Sequence, residues 1–248
     1  MNPILRVKAL ERYLGSDETR VHVLRGVDLA LIPGQTCAIV GPSGCGKSTT
    51  GRAILQLYRP TAGTVEFEGT ELTQLKGEAL RRMRRHMQMI FQDPYASLNP
   101  RMTVGDIIAE PLEISGEPKH LRREKTERIM ERVGLTLEYL EAYPHELSGG
   151  QRQRVSIARA MITHPQLVIC DEPFSALDAS VQAQIISLLI ELKEEFDLTY
   201  LVISHDLALL EFLCNAVAVM YLGEVVEEAV PADRLFAEPL HPYSRGLM

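Results

Sequence analysis

Residues 41–48 read Gly-Pro-Ser-Gly-Cys-Gly-Lys-Ser, and few strings of that length restrict a fold more tightly. The pattern G-x-x-x-x-G-K-[ST] cradles a phosphate only when a strand feeds it and a helix leaves it. Its glycines let successive N–H groups turn toward one anion at the positive end of that helix. Both neighbours are present. Residues 35–40 form a short apolar run of strand length, and residues 47–58 carry Ile54, Leu55 and Tyr58 at helical spacing. The candidate phosphate ligands are therefore Gly41, Pro42, Ser43, Gly44, Cys45, Gly46, Lys47, Ser48 and Thr49. The loop supplies backbone N–H groups and Lys47 an ammonium for the β- and γ-phosphates. Ser48 offers a hydroxyl to Mg2+, and Thr49 a further phosphate hydrogen bond.

A second acidic element narrows the chemistry. Residues 167–172, Leu-Val-Ile-Cys-Asp-Glu, form an apolar strand ending in two carboxylates. Asp171 is placed to orient the water shell of Mg2+ and Glu172 to activate an attacking water. Around these motifs the chain reads as α/β. Residues 4–10 and 27–32 alternate as strands on either side of a polar loop at 15–20, which predicts an antiparallel β-layer. Residues 103–164 turn helical, with helices expected at 104–112, 121–133 and 149–162, interrupted by Pro111, Pro118 and Pro144. Alternation then resumes with a strand at 167–170, a helix at 179–196, a strand at 199–204 and a helix at 206–212, which implies parallel crossovers. Val181, Ile185, Leu188, Leu189 and Leu192 make the core stripe of the long helix.

Composition sets the outer limits. At roughly 150 residues per domain, 248 residues fit one large domain with a subdomain, and 46% hydrophobic residues supply a full core. The net charge of −7 argues against a dedicated nucleic-acid binder. The basic run Arg81, Arg82, Arg84, Arg85, His86 reads as a solvated helix face. No apolar stretch reaches the roughly 18 residues of a membrane span, residues 216–222 having only strand length. The first ten residues lack the apolar core of a secretory signal, so a cytosolic placement is expected. Cys37, Cys45, Cys170 and Cys214 show no C-x-x-C spacing and are expected as buried free thiols.

Residues 147–151, Leu-Ser-Gly-Gly-Gln, followed by Arg152-Gln153-Arg154, resemble the signature of the ABC transporter ATPases. The other motifs fall in that family's order. The resemblance makes Gln92 the Q-loop, Asp171 and Glu172 the Walker B pair, Ser175-Ala176-Leu177-Asp178 the D-loop and His205 the H-loop. It implies a P-loop NTPase of ABC type: a RecA-like, mainly parallel core with an antiparallel β-layer, about residues 1–92 and 165–248. A helical signature subdomain would occupy about 93–164. ATP and Mg2+ are the implied ligands, with Ser48, Gln92 and Asp171 near the metal. Lys47, Glu172, Gln92 and His205 carry the implied catalysis, His205 contacting the γ-phosphate and holding Glu172 productive. Tyr13 matches the aromatic that stacks on adenine. Ser148, Gly149, Gly150 and Gln151, with Asp178, would close over nucleotide held by a second subunit, so that two subunits sandwich two ATP molecules.

Residues 91–100, Phe-Gln-Asp-Pro-Tyr-Ala-Ser-Leu-Asn-Pro, and 235–245, Leu-Phe-Ala-Glu-Pro-Leu-His-Pro-Tyr-Ser-Arg, are similar to stretches typical of the dipeptide and oligopeptide importer ATPases. That branch also contains nickel, metal-chelate and phosphonate-related systems. The resemblance runs from about Ile4 to Met248. It departs at Phe174, where a smaller residue is common and only local packing is expected to change. Many members also carry a cysteine-bearing tail for an iron–sulfur cluster, and nothing in residues 1–248 predicts one. The implied partners are a second ABC ATPase subunit, identical or different, two membrane permease subunits on the cytoplasmic side of the membrane, and an extracytoplasmic solute-binding protein, without nucleic acid. A soluble ABC ATPase acting on nucleic acid or ribosomes is the rival from another class.

Overall fold

The computed structural model of the protein describes residues 2–16, 19–175 and 177–247. Asp17 and Glu18 of the expected polar loop, Ala176 of the D-loop, and Met1 and Met248 lie outside the described residues. The chain begins with strands β1 (Leu5–Leu14), β2 (Val21–Leu31) and β3 (Thr36–Val40), helix α1 (Lys47–Ile54), strands β4 (Ala62–Phe67) and β5 (Thr70–Glu71), helix α2 (Gly77–Arg84) and strand β6 (Met87–Ile90). Helices α3 (Pro94–Ser97), α4 (Val104–Ile114), α5 (Lys119–Arg132) and α6 (Gly149–Met161) precede strand β7 (Leu167–Asp171) and helix α7 (Ala179–Phe196). The last fifth holds β8 (Thr199–Ile203), α8 (Leu207–Leu213), β9 (Ala216–Tyr221), β10 (Glu224–Ala229), α9 (Asp233–Ala237) and α10 (Pro242–Leu247). Two compact units result, Met1–Arg84 with Asp197–Met248, and Arg85–Phe196.

In the first unit, β2-β1-β4-β5 form the antiparallel layer. Its hairpin is longer than the alternating sequence runs suggest, because register shifts between Val7 and Leu10, Leu10 and Glu11, and Arg12 and Tyr13 interrupt the period-2 pattern. Ala9, at φ 45°, sits in the first of these irregularities. A bulge leaves pairing intact while swapping which side chains face inward, so alternation alone understates the strands. The other strands of this unit run β10-β9-β3-β8. There β3 is fully buried and lies parallel to both β8 and β9, pairing Ile39 with Ile203 and with Ala218. A parallel strand covered on both sides reads as a continuous apolar run, as residues 36–40 do.

Helix α1 ends at Ile54, short of the expected Tyr58, because Gln56 takes φ 58° and its side-chain amide donates to the Ala53 carbonyl at 2.8 Å. Arg84 closes this end. Its Nε donates to Leu55 O at 2.9 Å and its Nη2 to Gln56 O at 2.7 Å, so the basic run is not uniformly a solvated face. Burial beside Arg59 lowers the Arg84 pKa, with desolvation the larger cause.

In the second unit, β6 lies parallel to β7, pairing Ile90 with Cys170, and α4, α5 and α6 pack together. Pro111 was expected to interrupt the first of these helices, yet α4 runs through it to Ile114. The ring costs the hydrogen bond its missing N–H would make. Thr103 offsets part of that loss by capping the other end, its hydroxyl accepting from Asp106 N–H at 3.2 Å, and Ser115 Oγ donates to Pro111 O at 2.7 Å. Val104, Ile107, Ile108 and Leu112 bury the inner face. Along α7 the stripe Ile185, Leu188, Leu189, Leu192 is buried and Val181 half-buried. Cys37, Cys45, Cys170 and Cys214 are buried and unbridged; burial pushes the Cys37 and Cys170 thiols far above their ordinary range. Among the described residues no helix is long and apolar enough to cross a membrane.

Candidate functional site

The loop at residues 41–46 is shaped by what lies beneath it. Gly41 has φ 153°, and a Cβ there would stand 2.0 Å from the carbonyl oxygen of Met220 on β9. Gly46 has φ 110°, and a Cβ there would meet Leu24 Cδ2 at 2.9 Å and Val23 O at 3.0 Å on β2. Both positions reject a side chain on conformation and on space. The loop can therefore wrap tightly against β9 and β2. Helix α1 starts at Lys47 without a side-chain cap, and its first-turn N–H groups have no acceptor inside the helix. That is the arrangement an anion uses.

Lys47 is buried, and its Nζ donates to Gly41 O at 2.8 Å and to Pro42 O at 3.0 Å. The ammonium is held against the loop carbonyls. Thr50 fixes the loop's exit, its backbone N–H and its hydroxyl donating to Gly46 O at 2.8 and 3.1 Å. Burial raises the Cys45 pKa against the lowering effect of nearby Lys47. The cradle, ammonium and helix start together fit a polyphosphate.

Two further candidates lie in the same unit. His205 is exposed just beyond β8, and the Ser204 N–H donates to Ile39 O at 3.3 Å, so His205 and the loop leave the same edge of the parallel strands. Asp206 caps α8 by accepting from Leu209 N–H at 3.3 Å. Tyr13 lies on β1, where its ring stacks on His22 at 4.0 Å and 7°, with the Arg20 guanidinium 4.1 Å from its centroid. A base reaching Tyr13 has these groups as neighbours.

The second unit carries the acidic and signature residues. Strand pairing of Ile90 with Cys170 brings Gln92, Asp171 and Glu172 to the same edge of β6 and β7. Asp171 is fully buried, and Glu172 is half-buried in a left-handed conformation at φ 48°. A non-glycine residue in that region is strained. The turn that imposes it is closed by Ser175, whose N–H and hydroxyl donate to Glu172 O at 3.3 and 3.1 Å. Gln92 is exposed, and the next residue, Asp93, caps α3 by accepting from Tyr95 and Ala96 N–H at 2.8 and 3.2 Å. Two arginines tie that segment to α6: the Arg152 guanidinium lies 5.5 Å from the Tyr95 ring, and Arg159 donates to Ser97 O at 2.7 Å. The sequence pattern of α6 gave no hint of either tether.

Ser148 begins α6 as a capping box. Its hydroxyl accepts from Gln151 N–H at 3.3 Å while Gln151 Oε1 accepts from Ser148 N–H at 2.8 Å. Gln151 Nε2 also donates to Tyr139 Oη at 2.8 Å. The signature glycines thus sit in the first turn of a thirteen-residue helix. Asp178 caps α7 in the same way, accepting from Ser180 Oγ at 2.7 Å and from Ser180 and Val181 N–H at 3.1 and 3.0 Å. These bonds, the Ser180 hydroxyl first, hold its carboxyl below the ordinary range. Val181 then faces the signature, since a Cβ on Gly150 would stand 2.8 Å from Val181 Cγ1. Gly150→Ala is expected to destabilise the unit by about 1–3 kcal/mol through overpacking, and Val181→Ala in the same chain to restore most of it. Thermal melts of the single and double variants check this; additive losses would mean that the two sites do not touch.

Comparison with known proteins gives these motifs a lineage. A model of the ABC transporter family matches residues 24–175. The chain is 48% identical to the oligopeptide transport ATP-binding protein OppF of Bacillus subtilis, over 99% of this chain and 81% of that protein. It is 52% identical to the glutathione import ATP-binding protein GsiA of Pectobacterium atrosepticum over 92% of this chain, which spans only 37% of that longer protein. Among solved structures, the dimeric ATP-binding cassette MJ0796 bound to ADP and Pi superposes with a TM-score of 0.83 at 30% identity, covering 91% of this chain and 98% of that one. A glycine cradle under which no Cβ fits, a capped signature helix and these relatives have one reading in common: the chain belongs to the ABC transporter family, as one of its ATP-binding cassettes.

Proposed function

We propose that the chain is the ATP-hydrolysing subunit of an importer of di- or oligopeptides, bound to two permease subunits on the cytoplasmic face of the membrane and served by an extracytoplasmic solute-binding protein. The observation that carries the ATPase reading is the loop at Gly41 and Gly46, closed to any side chain and roofed by Lys47. The peptide class rests on the names of relatives that this chain matches over most of its length.

Lys47 and the N–H groups of the loop bind the β- and γ-phosphates, and the ring of Tyr13 takes the adenine. Ser48 would offer its hydroxyl to Mg2+, for which Gln92 and Asp171 are the other proposed ligands, and the ion when bound would neutralise charge developing on the phosphates. Glu172 accepts the proton of the attacking water as the water oxygen bonds the γ-phosphorus and the bond to the bridging oxygen breaks. His205 would contact the γ-phosphate. Ser148, Gly149, Gly150 and Gln151 of one subunit, with its Asp178, close over the nucleotide of the other, so residues 93–164 act as the signature subdomain that passes closure to the permeases. The charge bias of the whole chain is acidic, in keeping with a role away from nucleic acid.

ATP turnover by the purified chain, measured against protein concentration with light scattering alongside, tests the reading. A rate per subunit that rises with concentration supports two copies building complete sites. A chain that binds ATP yet stays inactive throughout points to a second, different ATPase subunit, or to a permease that must hold the pair together. One that binds no ATP overturns the proposal.

A further inference from the structure

The His-Pro-Tyr segment near the C-terminus has no part in the chemistry above, yet it packs on the strand end that lies beneath the phosphate loop. Glu227 on β10 anchors it, Oε1 accepting from Leu240 N–H at 2.8 Å and Oε2 from His241 N–H at 2.9 Å. His241 Nδ1 in turn accepts from Tyr243 N–H at 3.1 Å, and Arg245 Nε donates to Pro239 O at 3.0 Å. The chain is thereby reversed, and the Tyr243 ring is laid on Tyr221 with centroids 4.4 Å apart and planes 26° from parallel. Tyr221 is the last residue of β9, directly after Met220.

Met220 is the residue on which the loop rests. Its carbonyl oxygen occupies the space beneath Gly41, its Cε lies 2.9 Å from where a Cβ of Gly46 would stand, and Thr50 Oγ1 donates to its sulfur at 3.8 Å. Methionine is a flexible packing residue, and Met220 and Tyr221 form the last rungs of the β9–β10 hairpin, paired with Val225 and Glu224. That pairing holds the backbone at the end of β9, and the Tyr243 stack adds a hold on the Tyr221 side chain next to Met220. We propose that Tyr243 is that brace: a positioning residue that fixes Tyr221 and Met220, and through them the phosphate loop, so that nucleotide affinity depends on the C-terminal segment. Burial, then nearby Cys45 and Tyr221, raise the Tyr243 pKa, which agrees with a ring packed beside the loop.

The inference rests on the reading of residues 41–49 as the ATP site, and the test separates the two. In the full-length chain, Tyr243→Ala is expected to weaken ATP binding and raise the KM for ATP about 3- to 10-fold, the range of one stacked aromatic pair, while kcat at saturating ATP is unchanged. Tyr243→Phe keeps the stack and is expected to keep native affinity. Unchanged affinity in Tyr243→Ala overturns the proposal. So does an equal loss in Tyr243→Phe, which would assign the effect to the hydroxyl, or a fall in kcat in step with the melting temperature, which would make the role merely structural. If Tyr243→Ala does not fold, Glu227→Ala releases the 240–241 backbone without touching the stacked rings and is expected to give the same KM shift; native affinity there overturns the proposal equally. Lys47→Ala serves as the control on the site itself, because native ATP affinity in that variant would remove the site reading whatever Tyr243 does.

Discussion

Lys47→Ala is expected to weaken ATP binding by at least about 10²-fold while leaving the chain folded. A hydrogen bond to a charged group contributes about 1.5–3 kcal/mol. Bonds from one ammonium to two phosphate oxygens therefore come to about 3 kcal/mol or more, and each 1.4 kcal/mol is about tenfold in affinity. The same Nζ otherwise donates to Gly41 O and Pro42 O, so its removal leaves two carbonyls short of a donor. Pro42 is only half-buried and its neighbours Ser43 and Gly44 are exposed, so water can reach this side of the loop and the melting temperature should fall by no more than a few degrees. Lys47→Arg is expected to fail as well. A planar fork does not replace a point charge buried at this spot. Titration with a fluorescent ATP analogue, paired with a thermal melt, separates lost binding from lost folding; affinity within twofold of native would remove Lys47 from the phosphate site.

What the sequence made legible, and what it hid, follows from where the physics is local. The phosphate loop was readable because each of its requirements is a residue type at a fixed offset: glycine where φ is positive, lysine at the helix start. The reason for those glycines was not readable, because Met220 and Val23 come from strands far away in sequence. Residues 216–222 look only like an apolar strand. The strand extents of β1 and β2 were understated because bulges at Ala9 and after Leu10 break the alternation that marks a strand. Pro111 predicted a break that α4 does not make, since packing of Ile107, Ile108 and Leu112 outweighs one missing hydrogen bond. Arg84 lay hidden in a run of like charges, although it alone of the arginines on α2 caps the end of α1. The capping box from Ser148 to Gln151 went unread beside the signature those residues also spell, although both of its reciprocal hydrogen bonds are formed.

Glu172→Gln is expected to lower ATP turnover by about 10²-fold or more, the range general-base catalysis spans, with ATP binding unchanged. The amide keeps the size and one acceptor oxygen of the carboxylate, but it loses the charge and the ability to take a proton. Binding should survive because the residues assigned to hold the phosphates, Gly41 to Thr49, are untouched. Closure without hydrolysis should then accumulate an ATP-dependent dimer, read by light scattering against the nucleotide-free chain. The backbone supplies a second contrast. Glu172 sits at φ 48°, a conformation that costs an L residue about 1–2 kcal/mol and glutamine the same, so Glu172→Gln should melt with the native chain. Glu172→Gly removes the carboxylate and relieves that strain, and should lose turnover as fully as Glu172→Gln without melting lower. Near-normal turnover in either variant would remove Glu172 as the base. Lost turnover with a lower melt in both would mean that the side chain serves the turn closed by Ser175 rather than the water.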